Sequence, residues 1–175
     1  MLLPRSGAAR AQRSLLRGQQ EVLGVAALVE IDREEAVRRI AAACARVPRV
    51  AAAYLFGSTL GRCRPDSDID VGVIRQPFAG ETDHARFRAG LALEGELMAA
   101  LGTLDGHPFE VTVLDEAQPL FAMTVLRDGR LSFVGDRGAY TDFLEHVAQA
   151  YRQNAPRHRV AQAEIRMARA TGRAR

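Results

Sequence analysis

The segment Tyr54-Leu-Phe-Gly57-Ser58-Thr-Leu-Gly61-Arg62-Cys-Arg64-Pro65-Asp66-Ser67-Asp68-Ile-Asp70-Val-Gly72-Val-Ile74 constrains this chain more than any other. An apolar run stops at a Gly-Ser turn, and the next apolar run opens with two carboxylates one residue apart. Side chains of an extended strand alternate between faces, so Asp68 and Asp70 project on one side while Ile69 points away. Two like charges at that spacing repel unless something positive lies between them, and a divalent cation is the usual partner. The Gly57-Ser58 turn offers backbone N–H groups and a hydroxyl, the donors that a phosphate takes. A strand edge that joins a metal to a phosphate reads as nucleotide chemistry.

The rest of the chain supplies a sheet and helices around that strand. Asp32 is an N-cap with Glu35 three residues on, and Ala36, Ile40, Ala43 and Cys44 recur at helical spacing until Pro48 stops the run. Val50–Phe56 and Ile69–Ile74 read as strands, with a turn holding one helical turn between them and a second turn at Pro65-Asp66-Ser67. Pro77 and Gly80 mark a loop. A helix from about Asp83 to Leu101 follows, with Leu93, Leu97 and Leu101 on one stripe. Leu104–Pro108 reads as a turn and Phe109–Leu114 as a strand. Asp115–Leu126 is expected to be a helix closed by Asp128-Gly129, Arg130–Val134 a short strand, and Thr141–Arg152 and Pro156–Ala170 two further helices. Short strands in a mixed sheet flanked by helices make an α/β or α+β domain with C-terminal helices.

Composition excludes several chemistries. All 24 basic residues are arginine, so neither a P-loop lysine nor a Schiff-base lysine is available. Cys44 and Cys63 lie far apart with no metal-ligand spacing. Cys44 reads as a small core residue, and nothing suggests a disulfide scaffold, which points to a reducing cytoplasm. No apolar run approaches the roughly 20 residues that span a bilayer. The formal charge of +3 hides a segregation. Residues 1–20 carry four Arg and no acid, and residues 157–175 six Arg and one acid. The body between them is left with 14 Arg against 20 acids. The expected organisation is an N-terminal extension over residues 1–28, disordered or arising from a misassigned start, a domain over 29–153 and a basic C-terminal helix or tail over 154–175.

Acids on buried strands need a reason, because an unpaired buried charge is costly. Besides Asp68 and Asp70, Glu110 sits second in the strand Phe109-Glu-Val-Thr-Val-Leu114. If the two strands pair, Glu110 reaches the same pocket as Asp70. Three carboxylates around two Mg²⁺ ions roughly 4 Å apart form a two-metal clamp for nucleotidyl transfer. Glu110 can also take an acceptor proton as general base. Gly72, small and on the Asp70 face, is expected to leave room for the nucleotide.

With these residues in place the stretch resembles the signature of the nucleotidyltransferase superfamily shared with DNA polymerase beta: Gly-Ser, a loop, then Asp-x-Asp. Leu55-Phe-Gly-Ser58 and Arg64-Pro-Asp-Ser-Asp-Ile-Asp-Val71 are similar to the minimal nucleotidyltransferases, many of them antitoxins encoded beside a HEPT-domain toxin. Leu114-Asp-Glu-Ala-Gln-Pro-Leu120 and Val125-Leu-Arg-Asp-Gly-Arg130-Leu resemble them too, so the likeness covers roughly residues 33–153. It implies a nucleotidyltransferase fold and transfer of AMP from ATP onto a tyrosine of the toxin. By position it implies Gly57 and Ser58 on the triphosphate, Asp68 and Asp70 as ligands of both Mg²⁺ ions, and Glu110 as third carboxylate. Arg62 and Arg64 compete for the phosphate-facing role. The loop departs from the usual Gly-Ser-x-Ala-Arg-Gly and is one residue shorter, and the third acid is Glu where Asp is commoner.

Other residues have weaker roles. His107 reads as a loop residue, and His84, His146 and His158 as surface positions on helices without metal spacing. Asp115 and Glu116 read as the start of a helix, and Tyr54, Tyr140 and Tyr151 as packing. Two rival functions remain. An aminoglycoside-type small-molecule transferase would need a larger acceptor-binding region than the short stretch after Glu110. An inactive antitoxin acting by contact alone would fit the shortened loop. The implied partner is a HEPT-domain toxin from a neighbouring gene, with both a hetero-oligomer and a homo-oligomer open.

Overall fold

A computed structural model of the chain describes residues 27–77 and 80–170, with side chains as far as residue 154. Residues 1–26, the side chains of the basic C-terminal segment and His158 therefore lie outside the described residues. The first helix among the described residues, α1 (Arg33–Cys44), begins where the sequence signals it, with Asp32 Oδ1 accepting from the Glu35 N–H at 3.0 Å. Strands β1 (Val50–Phe56) and β2 (Ile69–Arg75) follow, separated by a short 3₁₀ turn over Gly57–Leu60. Then come α2 (Asp83–Leu101), β3 (Thr103–Leu104), β4 (His107–Val113), α3 (Pro119–Asp128), β5 (Arg130–Val134) and α4 (Arg137–Ala170).

The strands form one mixed sheet in the order β3-β4-β2-β1-β5, in which only β2 and β4 run parallel. Alternation divides the core between the two faces. Ile69, Val71 and Val73 of β2 and Phe109, Val111 and Val113 of β4 pack with Ile40 and Cys44 of α1 and Leu93 and Leu97 of α2. On the other face Tyr54 and Ile74 pack with Ala122 and Val125 of α3 and Phe143 and Val147 of α4. Cys44 is buried, and burial pushes its thiol up to about 12, so it behaves as an apolar core residue. Among the described residues no helix is long and apolar enough to cross a membrane.

Charge is buried at the far end of β2. The Arg75 side chain is 8% exposed. Its Nε donates to Asp115 Oδ2 at 3.0 Å, and Glu81 and Glu116 lie 3.4 and 3.8 Å from its terminal nitrogens. Burial opposes its charge, but Asp115 and Glu81 outweigh that penalty and hold the guanidinium above its ordinary pKa. Asp115 and Glu116 thus do not open a helix. They occupy a 3₁₀ turn over Leu114–Glu116 and face Arg75, while α3 starts later, with Pro119 in its first turn.

Three further elements differ from the sequence reading. The stretch expected to be a simple turn contains β3, which pairs Thr103 with Pro108 and Leu104 with His107. Asp105 and Gly106 make that hairpin with positive φ of 54° and 88°. His107 is consequently a strand residue. The two expected C-terminal helices are one continuous α4, which carries Pro156 in its interior. Proline there removes one N–H from the helical ladder, a local loss that the flanking turns outlast.

Candidate active site

The site is built at the end of β2 opposite Arg75. Phe56 closes β1, and the chain then turns through Gly57 at φ +81°, a left-handed conformation that side chains rarely adopt. A Cβ on Gly57 would lie 1.9 Å from Asp70 Oδ2, so the glycine is also required by the carboxylate resting against its backbone. Ser58 is exposed in the following 3₁₀ turn. Thr59 is buried and its hydroxyl donates to the Phe56 carbonyl at 3.3 Å, fixing the turn from beneath. Sequence reading passed over Thr59, although a hydroxyl two residues after a Gly at a strand end is an available signal.

The pairing that brings the acids together is in the sheet itself. The parallel β2–β4 register sets Asp70 directly beside Glu110, and the antiparallel β1–β2 register sets Phe56 opposite Asp70. Asp70 and Glu110 share the face of Ile74 and Thr112, which is the α3/α4 face, beyond the end of those helices' apolar contacts. Asp68 stands just before β2 and is exposed, as is Glu110, while Asp70 is half-buried. The Asp70 carboxyl is pushed above the ordinary carboxylate range, first by burial and then by the charges of Glu110 and Asp68. Among the described residues no arginine pairs with Asp70 to offset that push. Among the described residues no three His, Cys, Asp or Glu side chains close onto one metal-sized point. Asp70 and Glu110 share a face and the charge of Asp68 reaches Asp70, and oxygen donors carrying surplus negative charge fit a hard divalent cation such as Mg²⁺.

Gly72 has a different purpose from the expected one. A Cβ there would meet the Leu114 side chain at 2.9 and 3.1 Å and Val125 at 3.1 Å, so the glycine admits core side chains rather than a nucleotide. The loop leading into the acids is held from two sides. Val29 and Cys63 exchange both backbone hydrogen bonds, at 2.8 and 3.0 Å. His107 Nδ1 donates to the Ser67 carbonyl at 2.7 Å.

Arg62 and Arg64 are not drawn to the carboxylates. Arg62 donates to the Leu28 carbonyl at 3.0 Å, and Arg64 pairs with Asp66 at 3.0 Å on the surface. His84 and His146 are exposed on helices. Tyr54 and Tyr140 pack against each other and share a hydroxyl–hydroxyl hydrogen bond of 2.5 Å. Burial, then that bond, pushes the Tyr54 phenol well above its ordinary value.

Residues 38–137 match the model of the family described as Polymerase beta, Nucleotidyltransferase. No curated protein matches the sequence. Solved structures with similar chains include a MntA–HepT toxin–antitoxin complex, 17% identical over 75% of this chain and 95% of that one, TM-score 0.45. A toxin–antitoxin structure with AMP-PNP is 16% identical over 74% and 98% of the two chains, TM-score 0.47. A third is a complex of tri-AMPylated HEPN toxin from Shewanella oneidensis with MNT antitoxin, 18% identical over 75% and 95%, TM-score 0.46.

Proposed function

This chain belongs to the Polymerase beta nucleotidyltransferase family, and from that premise we propose that it transfers AMP from ATP to a tyrosine of a HEPT-domain toxin encoded beside it, as its antitoxin. The observation that carries the reading is the cross-strand pairing of Asp70 with Glu110, with the charge of Asp68 acting on Asp70 and Asp70 resting on the Gly57 backbone. The likeness of residues 64–71 and of the block after Leu114 to minimal nucleotidyltransferases supports the choice of acceptor.

In this mechanism the Gly57 and Ser58 backbone N–H groups and the Ser58 hydroxyl hold the triphosphate. Asp68, Asp70 and Glu110 would hold two Mg²⁺ ions, which would supply neutralisation of phosphate charge and a lower pKa for the acceptor hydroxyl. The tyrosine oxygen attacks the α-phosphorus in line, the bond to the β-phosphate oxygen breaks, and pyrophosphate leaves. Glu110, exposed on β4, receives the tyrosine proton as general base. Arg62 and Arg64 join the phosphates only by exchanging Leu28 and Asp66 for them. Without that exchange this chain would meet the triphosphate with the Gly57-Ser58 turn and no arginine of the loop.

One observation favours a second reading. The shortened Gly-Ser loop has its first arginine tied to Leu28, which suits an antitoxin acting by contact without transfer. Incubating the full chain with the product of the adjacent gene, Mg²⁺ and ATP, and recording intact masses, separates the two. Increments of one AMP on the partner are expected. A tight complex whose partner mass never changes overturns the transferase reading.

A further inference from the structure

We propose that His107 is a positioning residue that holds the backbone of Asp68 in place for the cation. This inference rests on the metal-binding reading of Asp68, Asp70 and Glu110 and adds a residue that the reading does not contain. The last ladder pair of β2 with β4 at this end is Ile69 with Phe109. Continued by two residues, the same register sets Ser67 against His107, where β2 has already ended. There the imidazole takes over from the ladder, its Nδ1–H donating to the Ser67 carbonyl at 2.7 Å. A carbonyl only accepts, so the donor is the ring nitrogen, and the hydrogen bond fixes the proton on Nδ1.

That carbonyl belongs to the same planar peptide unit as the Asp68 nitrogen. Holding it fixes the plane from which the Asp68 side chain departs. The need is electrostatic. Asp68 is exposed and repelled by Asp70, which would swing it outward from a turn held otherwise by the Ser67 N–H to Arg64 carbonyl bond. His107 is well placed to resist. It is 7% exposed and anchored on both sides, by the Leu104 pairing to β3 and by the parallel pairing of β4 to β2. Its side chain alternates to the face opposite Glu110, so it acts through the Ser67 peptide and not on the reacting atoms.

The test measures binding of Mn²⁺ alone to the full-length protein, by the electron paramagnetic resonance signal of the free ion. His107→Ala and His107→Gln are expected to weaken binding roughly tenfold, the usual cost of losing a group that orients a ligand. His107→Asn places its Nδ2 donor near the position of the ring Nδ1 and should restore most of the loss. Asp70→Asn serves as reference and should lose binding. Folded Ala and Gln variants with wild-type affinity, beside an Asp70→Asn protein that has lost it, overturn the role of His107 alone. An Asp70→Asn protein that binds Mn²⁺ as wild type overturns the metal reading beneath it. If the Ala variant does not fold, the contrast of Asn with Gln decides, and equal affinities in those two overturn the proposal.

Discussion

The two ends of β2 carry buried or half-buried charge under opposite conditions. At one end Arg75 is enclosed by Asp115, Glu81 and Glu116, all within 4 Å of its guanidinium, and the surplus of acid shows only at Glu116, which burial and its acidic neighbours push above the ordinary carboxylate range. At the other end Asp70 is half-buried beside Glu110 and Asp68, and the charges around it have its own sign. The same strand thus ends once in acids gathered around a buried cation and once in acids gathered around a half-buried acid. Five residues apart, the sheet tolerates both because its centre is apolar and supplies the stability that the acidic end spends. A cluster built around its own arginine has a structural explanation. An acidic cluster with no arginine paired to it among the described residues is the candidate for binding a cation.

Removing the repulsive end should give the largest effect. Asp68→Asn with Asp70→Asn is expected to lower AMP transfer by about a thousandfold or more, since the several kcal/mol of charge stabilisation supplied by bound metal go with the ligands. Thermal melting of that variant without metal should be no lower than wild type. A melting point that collapses would place these acids with Arg75 as structural groups. Arg75→Met tests the other end. It leaves Asp115 without its cation and Glu81 with only Arg86, 3.9 Å away, and should cost about 3–5 kcal/mol in urea unfolding. A neutral result would show that the far end is no more satisfied than the near one.

Gly57→Ala sharpens the contrast at the acidic end. The strained φ and the collision with Asp70 together should cost about 1–3 kcal/mol, and the cost should shrink when Asp70→Ala is added, a coupling that a double-mutant cycle reads directly. The smallest effect concerns pH. Because the Asp70 pKa is raised on folding, its protonated form favours the native state: that contribution is complete below the unfolded pKa and is lost as pH rises through the folded one. Metal-free wild type should therefore melt slightly lower at neutral than at mildly acidic pH relative to Asp70→Asn, and added Mg²⁺ should close the gap. Parallel melting curves of the two proteins across that window would contradict the assigned repulsion.

Local signals explain what the sequence disclosed. The Asp32 cap, the stop at Pro48 and the apolar runs 50–56 and 69–74 are each written in a few contiguous residues, and the structure places α1, β1 and β2 there. The link between Glu110 and Asp70 is not local, yet it followed from strand alternation once the two strands were assumed to be neighbours. What escaped depends on distant partners. Nothing near Asp115 announces Arg75, which is 40 residues earlier, so two acids before a helix read as its start. His107 read as a loop residue because Gly106 and Pro108 flank it, while its pairing with Leu104 and its bond to Ser67 arise only in the assembled sheet. Gly72 was assigned to the ligand because sequence shows that a side chain is missing and not which neighbours fill the space.

The clasp between Val29 and Cys63 gives whatever is attached upstream of Leu28 a lever on the nucleotide loop. Tension applied there reaches the residues before Asp68 through two backbone hydrogen bonds and the Arg62 contact, with no helix or sheet in between to absorb it. A load applied at Leu28 works directly against the loop's grip, whereas the same load applied at Ala170 enters through a 34-residue helix. Tethers for force or surface experiments belong on the helix.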